Sequence, residues 1–541
     1  MKNSFDQLML SRRWTEEYLD HIDDMLPCEL AHMDELCNIL HDYKGKEVVI
    51  YPDFDCDGVM AGVILYAGLN ELGFKAHLHV PIPSEGYGMQ PNQIHAIRKQ
   101  YPNAELMITC DQGITEFGGI ECANKDGFVV VVTDHHEPKQ GALPSAATIV
   151  DPWREDDPCE FKEICGATVA WKVLTAYANK FADNGKKRAI KQLVVFAAIG
   201  TVSDCMLMLN NNRDIVRRGI ASMKQISQNG ITLLDFPKGT SPEYLTVFKG
   251  LSALIDVLDF ENMLQKITED TFGYVIAPMV NSVKRLGKDL SIVFNVFLKA
   301  DVSCAEQMFE LNQERQRLTK EQYAQIMASA QLFAPYVYLA ETTGGMAGLL
   351  ANKIMSETGM PTVVLYKTEN GFAGSGRSPE WCNLKRILLD GEFSVGGHAN
   401  SFGVRHVESI KLVSQMYDVI KDNVAYLLRN QEHTTPTYDV LLTQDSNFTE
   451  VMLVLSILAP FGRGFEKPTY LFETTKDHVK EIKHMGKEKQ HTKIVLDNDM
   501  ELIAWNTNIE ELPNTIKWAG MPSINEFMGK KTNQIVGNLI I

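Results

Sequence analysis

The stretch FVVVVTDHH, residues 128–136, decides the fold, because an apolar run there ends in a carboxylate and two imidazoles. Two earlier runs have the same form: VVIY at 48–51 leads to DFDCDG at 53–58, and LMITC at 106–110 leads to DQG at 111–113. Short, nearly continuous apolar runs are typical of buried strands in a parallel sheet. Since ligands bind beyond the carboxyl ends of such strands, we expect these polar residues to share one edge.

Carboxylates gathered this closely repel one another, and their pKa values rise unless a cation neutralises them. Asp204, which follows the apolar stretch 193–200, is a fourth candidate. An aspartate-rich loop alone is often only a turn, so the prediction depends on all the loops converging. Mixed carboxylate and imidazole ligands suit Mn²⁺ or Mg²⁺ better than structural Zn²⁺. The pattern therefore predicts a cluster of divalent metals, a common device for hydrolysing phosphate esters.

Further motifs follow the metal-type loops in a fixed order along most of the chain. They are DQGI at 111–114, TDHHEP at 133–138, GTVSD at 200–204, PMVNS at 278–282 with Arg285, LNQER at 311–315, GSGRS at 374–378, GGHA at 396–399, LAPFG at 458–462 and MGK at 485–487. In these motifs the chain resembles the DHH-superfamily phosphoesterases and, within them, the RecJ-like exonucleases specific for single-stranded DNA.

The resemblance implies an α/β fold with five successive parts. These are an N-terminal helical extension (1–45), a parallel-sheet DHH catalytic domain (46–235), a helical connector with a long helix (236–335), a second α/β, DHH-associated, substrate-binding domain (336–435), and a nucleic-acid-binding module like an OB-fold β-barrel (436–541). Alternating strand and helix patterns in the second part, helical spacing from Val302 to about Leu332 in the third, and short β-type runs with turns in the last agree with this division.

The same resemblance assigns roles to individual residues. Two divalent ions, Mn²⁺ or Mg²⁺, would be held by Asp55, Asp57, Asp111, His135 and Asp204. The catalytic candidates beside them are His136, Asp134 and Asp53. The substrate-binding candidates are Arg285, Ser375, Arg377, Ser378, Gly397 and His398. Glycine-rich turns let the backbone approach an anion, and an arginine can clamp a phosphate with two hydrogen bonds.

The implied activity is metal-dependent hydrolysis of single-stranded DNA by a processive 5′ to 3′ exonuclease that releases mononucleotides in repair or recombination. Single-stranded DNA is the expected substrate, with a single-strand-binding protein or a helicase as candidate protein partner, and a monomer is expected. Ten scattered cysteines without CxxC pairs, and no apolar stretch near the ~20 residues of a membrane helix, predict a cytoplasmic protein that does not bind membranes.

The net charge of −17 argues against a protein that binds nucleic acid through a generally basic surface, so any DNA-binding site has to be a local basic cluster. Six lysines between Lys476 and Lys493 form the clearest basic cluster and predict that the C-terminal module binds the strand. Two other hypotheses stay open. A phosphodiesterase of the DHH class for small molecules or short RNA shares the first two lobes, and a non-catalytic DHH scaffold would have lost metal ligands.

Overall fold

The computed structural model describes residues 30–86, 88–139, 142–231, 238–261, 266–397, 399–430, 438–486, 488–527 and 530–540, with Leu8, Met9, Arg12, Phe236 and Leu264. It divides into a larger unit (27–204 and 218–432) and a smaller one (1–26, 205–217 and 433–541). Most of the predicted N-terminal extension lies outside the described residues. No described helix is long and apolar enough to span a membrane.

The larger unit begins with a parallel five-stranded sheet of order β2-β1-β3-β4-β5. Its strands are β1 (Glu47–Pro52), β2 (Lys75–Leu78), β3 (Leu106–Cys110), β4 (Val129–Thr133) and β5 (Thr148–Val150). β3 is buried along its whole length and β1 and β4 at every residue but the first, because helices cover both faces. The three apolar runs of the sequence are therefore strands, as predicted.

Helices surround this sheet, and several reach the edge where the three strands end. They are α1 (Met33–Asp42), α2 (Cys56–Glu71), α3 (Pro91–Gln100), α4 (Phe117–Lys125), α5 (Gly166–Phe181), α6 (Asn184–Gln192) and α7 (Val194–Ser203). α3 and α4 cover one face, where Ile94 and Ile120 pack against Val49, Met107 and Val130. α2, α5 and α7 contact one another and carry the residues that face the strand ends.

A helical segment follows, as the sequence predicted for this part of the chain. Its helices are α8 (Asn210–Asn229), α9 (Pro242–Phe260), α10 (Ala277–Arg285), α11 (Ser291–Lys299) and α12 (Val302–Ala328). Residues 205–217, which include the start of α8, belong to the smaller unit. The long connector helix predicted from the sequence is α12, and Asp301 caps it by accepting a hydrogen bond from the amide of Cys304.

The second sheet of the larger unit is mixed, with order β6-β7-β8-β10-β9. It contains β6 (Val337–Leu339), β7 (Thr362–Thr368), β8 (Gly371–Arg377), β9 (Val395–Gly397) and β10 (Ser401–Val407), with helices α13 (Gly344–Thr358), α14 (Leu384–Asp390) and α15 (Ile410–Asn430). Leu350 of α13 packs on one face and Met416 of α15 on the other, so this is the predicted second α/β lobe.

The smaller unit holds a seven-stranded sheet of order β11-β12-β16-β17-β15-β14-β13. Its elements are β11 (Val440–Thr443), α16 (Phe448–Leu458), β12 (Tyr470–Thr475), β13 (Val479–Met485), β14 (His491–Leu496), β15 (Glu501–Ala504), β16 (Thr515–Phe527) and β17 (Lys530–Ile540). The predicted β-module is present. In the described residues β11 and β13 are its two edges, so the pairing does not close into a ring.

Candidate metal centre

Strand register places three aspartates side by side at the edge of the first sheet. Pro52 pairs with Cys110, and Cys110 pairs with Thr133, so the last residues of β1, β3 and β4 are level. The next residue on each strand is an aspartate. The backbone continues the pairing there, because the amide of Asp53 donates to Cys110 and that of Asp111 donates to Thr133. Parallel pairing therefore brings the three sequence motifs together.

Two more aspartates come from the loop that starts α2. Oδ1 of Asp55 caps this helix, accepting from the amides of Asp57 at 3.0 Å and Gly58 at 3.1 Å. Asp57 is buried and accepts from the first amides of α5, Gly166 at 2.7 Å and Ala167 at 3.0 Å. Helix N-termini stabilise anions, so two helices hold these carboxylates at the sheet edge.

His135 lies at the centre of this group and is 8 % exposed. Its Nε2 is 3.0 Å from Oδ1 of Asp111, 3.6 Å from Oδ2 of Asp204 and 3.8 Å from Oδ2 of Asp57. Asp204 comes from the turn after α7, where its amide donates to Gly200. The stretch before Asp204 is thus a helix, and it delivers this carboxylate beside those from the strands. All five predicted metal ligands belong to one site.

Asp134 and His136 form a separate, hydrogen-bonded pair. Oδ1 of Asp134 lies 2.8 Å from Nδ1 of His136 and accepts from the amide of His135, while Oδ2 accepts from the amide of Ile114. Although burial opposes it, the hydrogen bond and charge of Asp134 raise the pKa of His136 to about 10. Because protein donors occupy both oxygens of Asp134, the geometry makes it a residue that positions the two histidines.

Three carboxylates at this edge have raised pKa values because they are buried close to other negative charges. Burial and the charge of Asp55 raise the pKa of Asp53 to about 7 and that of Asp57 to about 6. Burial, followed by the charges of Asp57 and Asp55, raises the pKa of Asp111 well above its usual range. Oδ1 of Asp111 is buried, and among the described residues no donor reaches it with hydrogen-bonding geometry.

Divalent cations fit these residues. One atom each from Asp57, His135 and Asp204 lies within 4.8 Å of the others, and the same holds for Asp53, Asp55 and Asp111. Asp111 also groups with His135 and His136. Oxygen donors with one imidazole are ligands that Mn²⁺ and Mg²⁺ accept. Two neighbouring ion positions, with Asp111 close to both, would neutralise the charge that burial disfavours.

Two glycines provide the space that the side chains of Asp57 and Asp111 occupy. A Cβ built on Gly166 would lie 2.5 Å from Cβ of Asp111, and one on Gly200 would lie 2.3 Å from Oδ1 of Asp57. Both contacts are far shorter than van der Waals separation, and the helices that carry these glycines, α5 and α7, pack against each other and against α2. The sequence motif GTVSD contains Gly200, yet nothing in its spacing revealed this role.

Three arginines from different elements approach each other near the second sheet. Burial, then the charges of Arg315 and Arg377, lower the pKa of Arg285 to about 10. Burial also lowers the pKa of both Arg315 and Arg377. In the part of the chain that the structure describes, none of the three pairs with a carboxylate within 4.0 Å. Converging guanidinium groups without a carboxylate partner are suited to phosphate.

Glycines at the start of α13 accommodate two of these arginines. A Cβ on Gly345 would lie 2.4 Å from the carbonyl oxygen of Arg285, and one on Gly348 would lie 2.8 Å from Nη2 of Arg377. Nη1 of Arg377 donates to Oγ of Ser375 at 2.8 Å. The predicted substrate-binding residues Arg285, Ser375 and Arg377 thus belong to one neighbourhood.

The other predicted substrate-binding residues are less informative. Ser378 is buried, and in the described chain its Oγ has no hydrogen-bond partner. Gly397 ends β9 with a positive φ of 125° and accepts a hydrogen bond from Nζ of Lys385. His398 lies outside the described residues.

Sequence reasoning assigned no role to three residues that reach this region. Arg315 was seen only as part of a motif, and Asn281 accepts from the amide of Cys56 at 3.0 Å, which ties α10 to the first metal-type loop. Nζ of Lys284 lies 3.2 Å from the centre of the Phe54 ring. Burial lowers the pKa of Lys284 to about 8, although the charges of Asp53 and Asp55 oppose that effect. Lys284 lies between the PMVNS motif and Arg285, and the motif pattern assigned it no role.

Comparison with known proteins identifies two domains. Residues 47–201 match the N-terminal domain of the DHH family, and residues 438–537 match the RecJ OB domain. The chain is 25 % identical over 537 residues to the single-stranded-DNA-specific exonuclease RecJ of Bacillus subtilis, covering 94 % of this chain and 63 % of that protein. It is 26 % identical over 558 residues to RecJ of Haemophilus influenzae, covering 95 % and 91 %.

A solved structure shares the fold of nearly the whole chain. The crystal structure of RecJ from Thermus thermophilus in complex with Mn²⁺ matches with a TM-score of 0.78 at 23 % identity, covering 99 % of this chain and 76 % of that one. Residues 47–201 therefore match a DHH-family N-terminal domain and residues 438–537 a RecJ OB domain, in that order along one polypeptide. Over nearly its whole length the chain is similar in sequence to RecJ exonucleases and has the fold of the Thermus thermophilus protein.

Proposed function

We propose that this protein is a metal-dependent exonuclease that hydrolyses phosphodiester bonds of single-stranded DNA. The single observation that carries the proposal is the arrangement around His135, where three carboxylates lie within 3.0–3.8 Å of one imidazole nitrogen. A second carboxylate set, Asp53, Asp55 and Asp111, lies beside it. The relatives are named single-stranded-DNA-specific exonucleases, which supports the choice of substrate.

Different residues of the protein have different roles in hydrolysis. Asp55, Asp57, Asp111, His135 and Asp204 would hold two Mn²⁺ or Mg²⁺ ions, with Asp53 next to them. Such ions would lower the pKa of an attacking water and stabilise charge on the departing 3′ oxygen. Asp134 fixes the ring of His136 through Nδ1, which leaves Nε2 to contact a phosphate oxygen or to orient the water. The His136 side chain is 48 % exposed, as a substrate-contacting group requires.

The arginines bind the strand through its phosphates. Arg285, Arg315 and Arg377 offer positive charge without a competing carboxylate in the described residues, in a chain whose net charge is −17. Ser375 orients Arg377, and Ser378, Gly397 and His398 complete the proposed substrate-binding residues. A phosphate in this neighbourhood would offset the burial and the arginine–arginine repulsion that lower the pKa of Arg285. The acidic surface as a whole does not attract nucleic acid, so binding concentrates at this cluster.

The finer assignments rest on the family resemblance. The direction of digestion is 5′ to 3′, the products are mononucleotides, and the role is in DNA repair or recombination. We place the enzyme in the cytoplasm as a monomer, with a single-strand-binding protein or a helicase as partner. The absence of disulfides among the nine described cysteines supports a reducing compartment. The five proposed domains are 1–45, 46–235, 236–335, 336–435 and 436–541.

Digestion of end-labelled substrates tests the proposal. Single-stranded DNA labelled at the 5′ or the 3′ end, RNA of the same sequence and a cyclic dinucleotide are incubated with Mn²⁺ or with EDTA. We expect mononucleotides from the 5′ label of DNA, only with Mn²⁺, and none from the Asp111→Asn variant. Preferred hydrolysis of the cyclic dinucleotide would assign the small-molecule alternative, and no hydrolysis of any substrate would favour the scaffold.

A further inference from the structure

A second group of metal-ligating side chains lies on the outer helices of the first sheet. His95 is on α3, Cys122 is on α4, and Asp126 directly follows α4. Nδ1 of His95 lies 2.6 Å from Oδ2 of Asp126, and its Nε2 lies 3.9 Å from Sγ of Cys122. Cys122 and Asp126 are one helical turn apart, which brings them to the same face of the chain. None of the three residues belongs to the candidate metal centre, which is called the carboxylate centre below and consists of Asp53, Asp55, Asp57, Asp111, His135 and Asp204.

The backbone around this group is fixed by Arg98, one turn after His95 on α3. Its guanidinium donates to the carbonyl oxygen of Asp126 at 2.8 Å and to that of Ala104 at 2.6 Å. It also stacks on the Phe128 ring, 3.6 Å from the ring centre. The end of α4 is therefore tied to α3, and the three side chains are held opposite one another before any ligand arrives.

The donor set determines which metal fits. A tetrahedral zinc ion bonds a thiolate at ~2.3 Å and an imidazole at ~2.0 Å, which places the two ligand atoms ~3.5 Å apart. The 3.9 Å between Sγ of Cys122 and Nε2 of His95 is only ~0.4 Å longer, a difference that side-chain rotation can close. Asp126 on the other ring nitrogen reproduces the carboxylate–histidine–metal arrangement that orients an imidazole ligand. Thiolate and imidazole select Zn²⁺ over Mg²⁺ and Mn²⁺.

We propose that His95 and Cys122 form a Zn²⁺ site, with Asp126 as the carboxylate that orients His95 or joins the coordination. One ligand atom from each of the three lies within 4.8 Å of the others, and water fills the remaining positions because the His95 side chain is 61 % exposed. The ion bridges α3 and α4 and stabilises the first domain against unfolding, since it binds the folded state alone. Because the thiolate is the form that binds the metal, zinc binding displaces the thiol proton and strengthens as pH rises.

Cobalt substitution separates this site from the carboxylate centre. Co²⁺ is titrated into the full-length protein with excess Mg²⁺ occupying the carboxylates, and the thiolate-to-cobalt charge-transfer band in the near ultraviolet is recorded. We expect a saturable band that Zn²⁺ abolishes. Cys122→Ser removes the band, and His95→Ala or Asp126→Asn weakens Co²⁺ binding by about 10- to 100-fold. Cys304→Ser is the matched control, because Cys304 is also partly exposed and belongs to none of the metal-type groups.

Thermal unfolding provides the second readout. Zn²⁺ should raise the Tm of the parent and of Cys304→Ser but not that of Cys122→Ser, all measured with Mg²⁺ present. The proposal is overturned if the parent gives no charge-transfer band, if Cys122→Ser keeps it, or if Zn²⁺ stabilises Cys122→Ser as much as the parent. In any of those cases His95 and Asp126 are an ordinary surface ion pair.

Discussion

Carboxylates lie close to one another at the carboxylate centre, whereas lysines of the C-terminal sheet lie beside acidic residues. At the centre, buried carboxylates face one another and their pKa values rise. On the C-terminal sheet, three lysines each lie against an acid: Lys480 with Asp499, Lys483 with Glu481, and Lys493 with Glu501, at 2.7–3.0 Å. Charge that the protein leaves unbalanced marks a place for a ligand, whereas charge balanced by a neighbour does not.

Replacing an uncompensated carboxylate should have the largest effect. We expect Asp111→Asn to lower Mn²⁺ affinity by more than about 100-fold, since even partners outside the coordination cost ~10- to 100-fold, and to abolish turnover. Because like-charge repulsion is also relieved, the variant should unfold at the same or a higher temperature than the parent in EDTA. Calorimetric Mn²⁺ titration and thermal unfolding measure both. Parent-like Mn²⁺ binding would remove Asp111 from the metal centre.

Loss of an uncompensated arginine should have an intermediate effect and should act on the substrate. We expect Arg377→Ala to lower kcat/KM by about 10- to 100-fold, the worth of one or two charge-assisted hydrogen bonds, and to leave Mn²⁺ affinity unchanged. The matched control is Arg317→Ala on α12, because Arg317 is exposed and already paired with Glu314 and Glu321. A lost Mn²⁺ site in Arg377→Ala, or equal losses in both variants, would contradict this assignment.

Lys284 tests whether a protein cation already offsets part of the charge at the centre. Its ammonium group favours the ionised form of Asp53, and it competes with a metal for that carboxylate. We expect Lys284→Met to raise Mn²⁺ affinity about tenfold, equivalent to ~1.4 kcal/mol. Calorimetric titration measures this, with Lys288→Met as the control on the same segment. Weaker Mn²⁺ binding in Lys284→Met would instead make the lysine a support for the fold of the Asp53 loop.

The paired lysines should give the smallest effect. Lysine–phosphate contact with a single strand contributes about 0.7 to the slope of log affinity against log salt. Because Glu481 already balances Lys483, we expect Lys483→Ala to change that slope by less than ~0.7, and Glu481→Gln to steepen it. Binding to long single-stranded DNA across a salt series measures both. A full loss of ~0.7 in Lys483→Ala would support the prediction from the sequence that this lysine cluster binds the strand.

The parts of the molecule that local pattern controls were predictable from the sequence. Apolar runs before Asp53, Asp111 and Asp134 identified three parallel strands, and parallel pairing then requires their ends to meet. The connector helix and the β-rich tail followed from periodicity in the same way. Asp204 could be proposed but not its setting, because an apolar stretch of that length can be strand or helix.

What the sequence could not predict depends on register and on contacts across the chain. Lys493 meets Glu501 because β14 and β15 pair in one particular alignment, and nothing in composition fixes that alignment. Arg315 joins Arg285 only through the packing of α12 beside α10. The positioning role of Asp134 depends on which donors reach its oxygens, including the amide of Ile114 from the neighbouring loop. Charge runs therefore identify candidates, and tertiary neighbours decide which of them remain available.

The glycines behind the carboxylates change how activity should be inferred across related chains. A relative can retain every aspartate and histidine of the centre and still be unable to bind metal, if alanine occupies the position of Gly166 or Gly200. Inspection of ligands alone would count such a chain as an active enzyme. The space behind a ligand is as much a part of the catalytic signature as the ligand itself, and a search for working nucleases should require both.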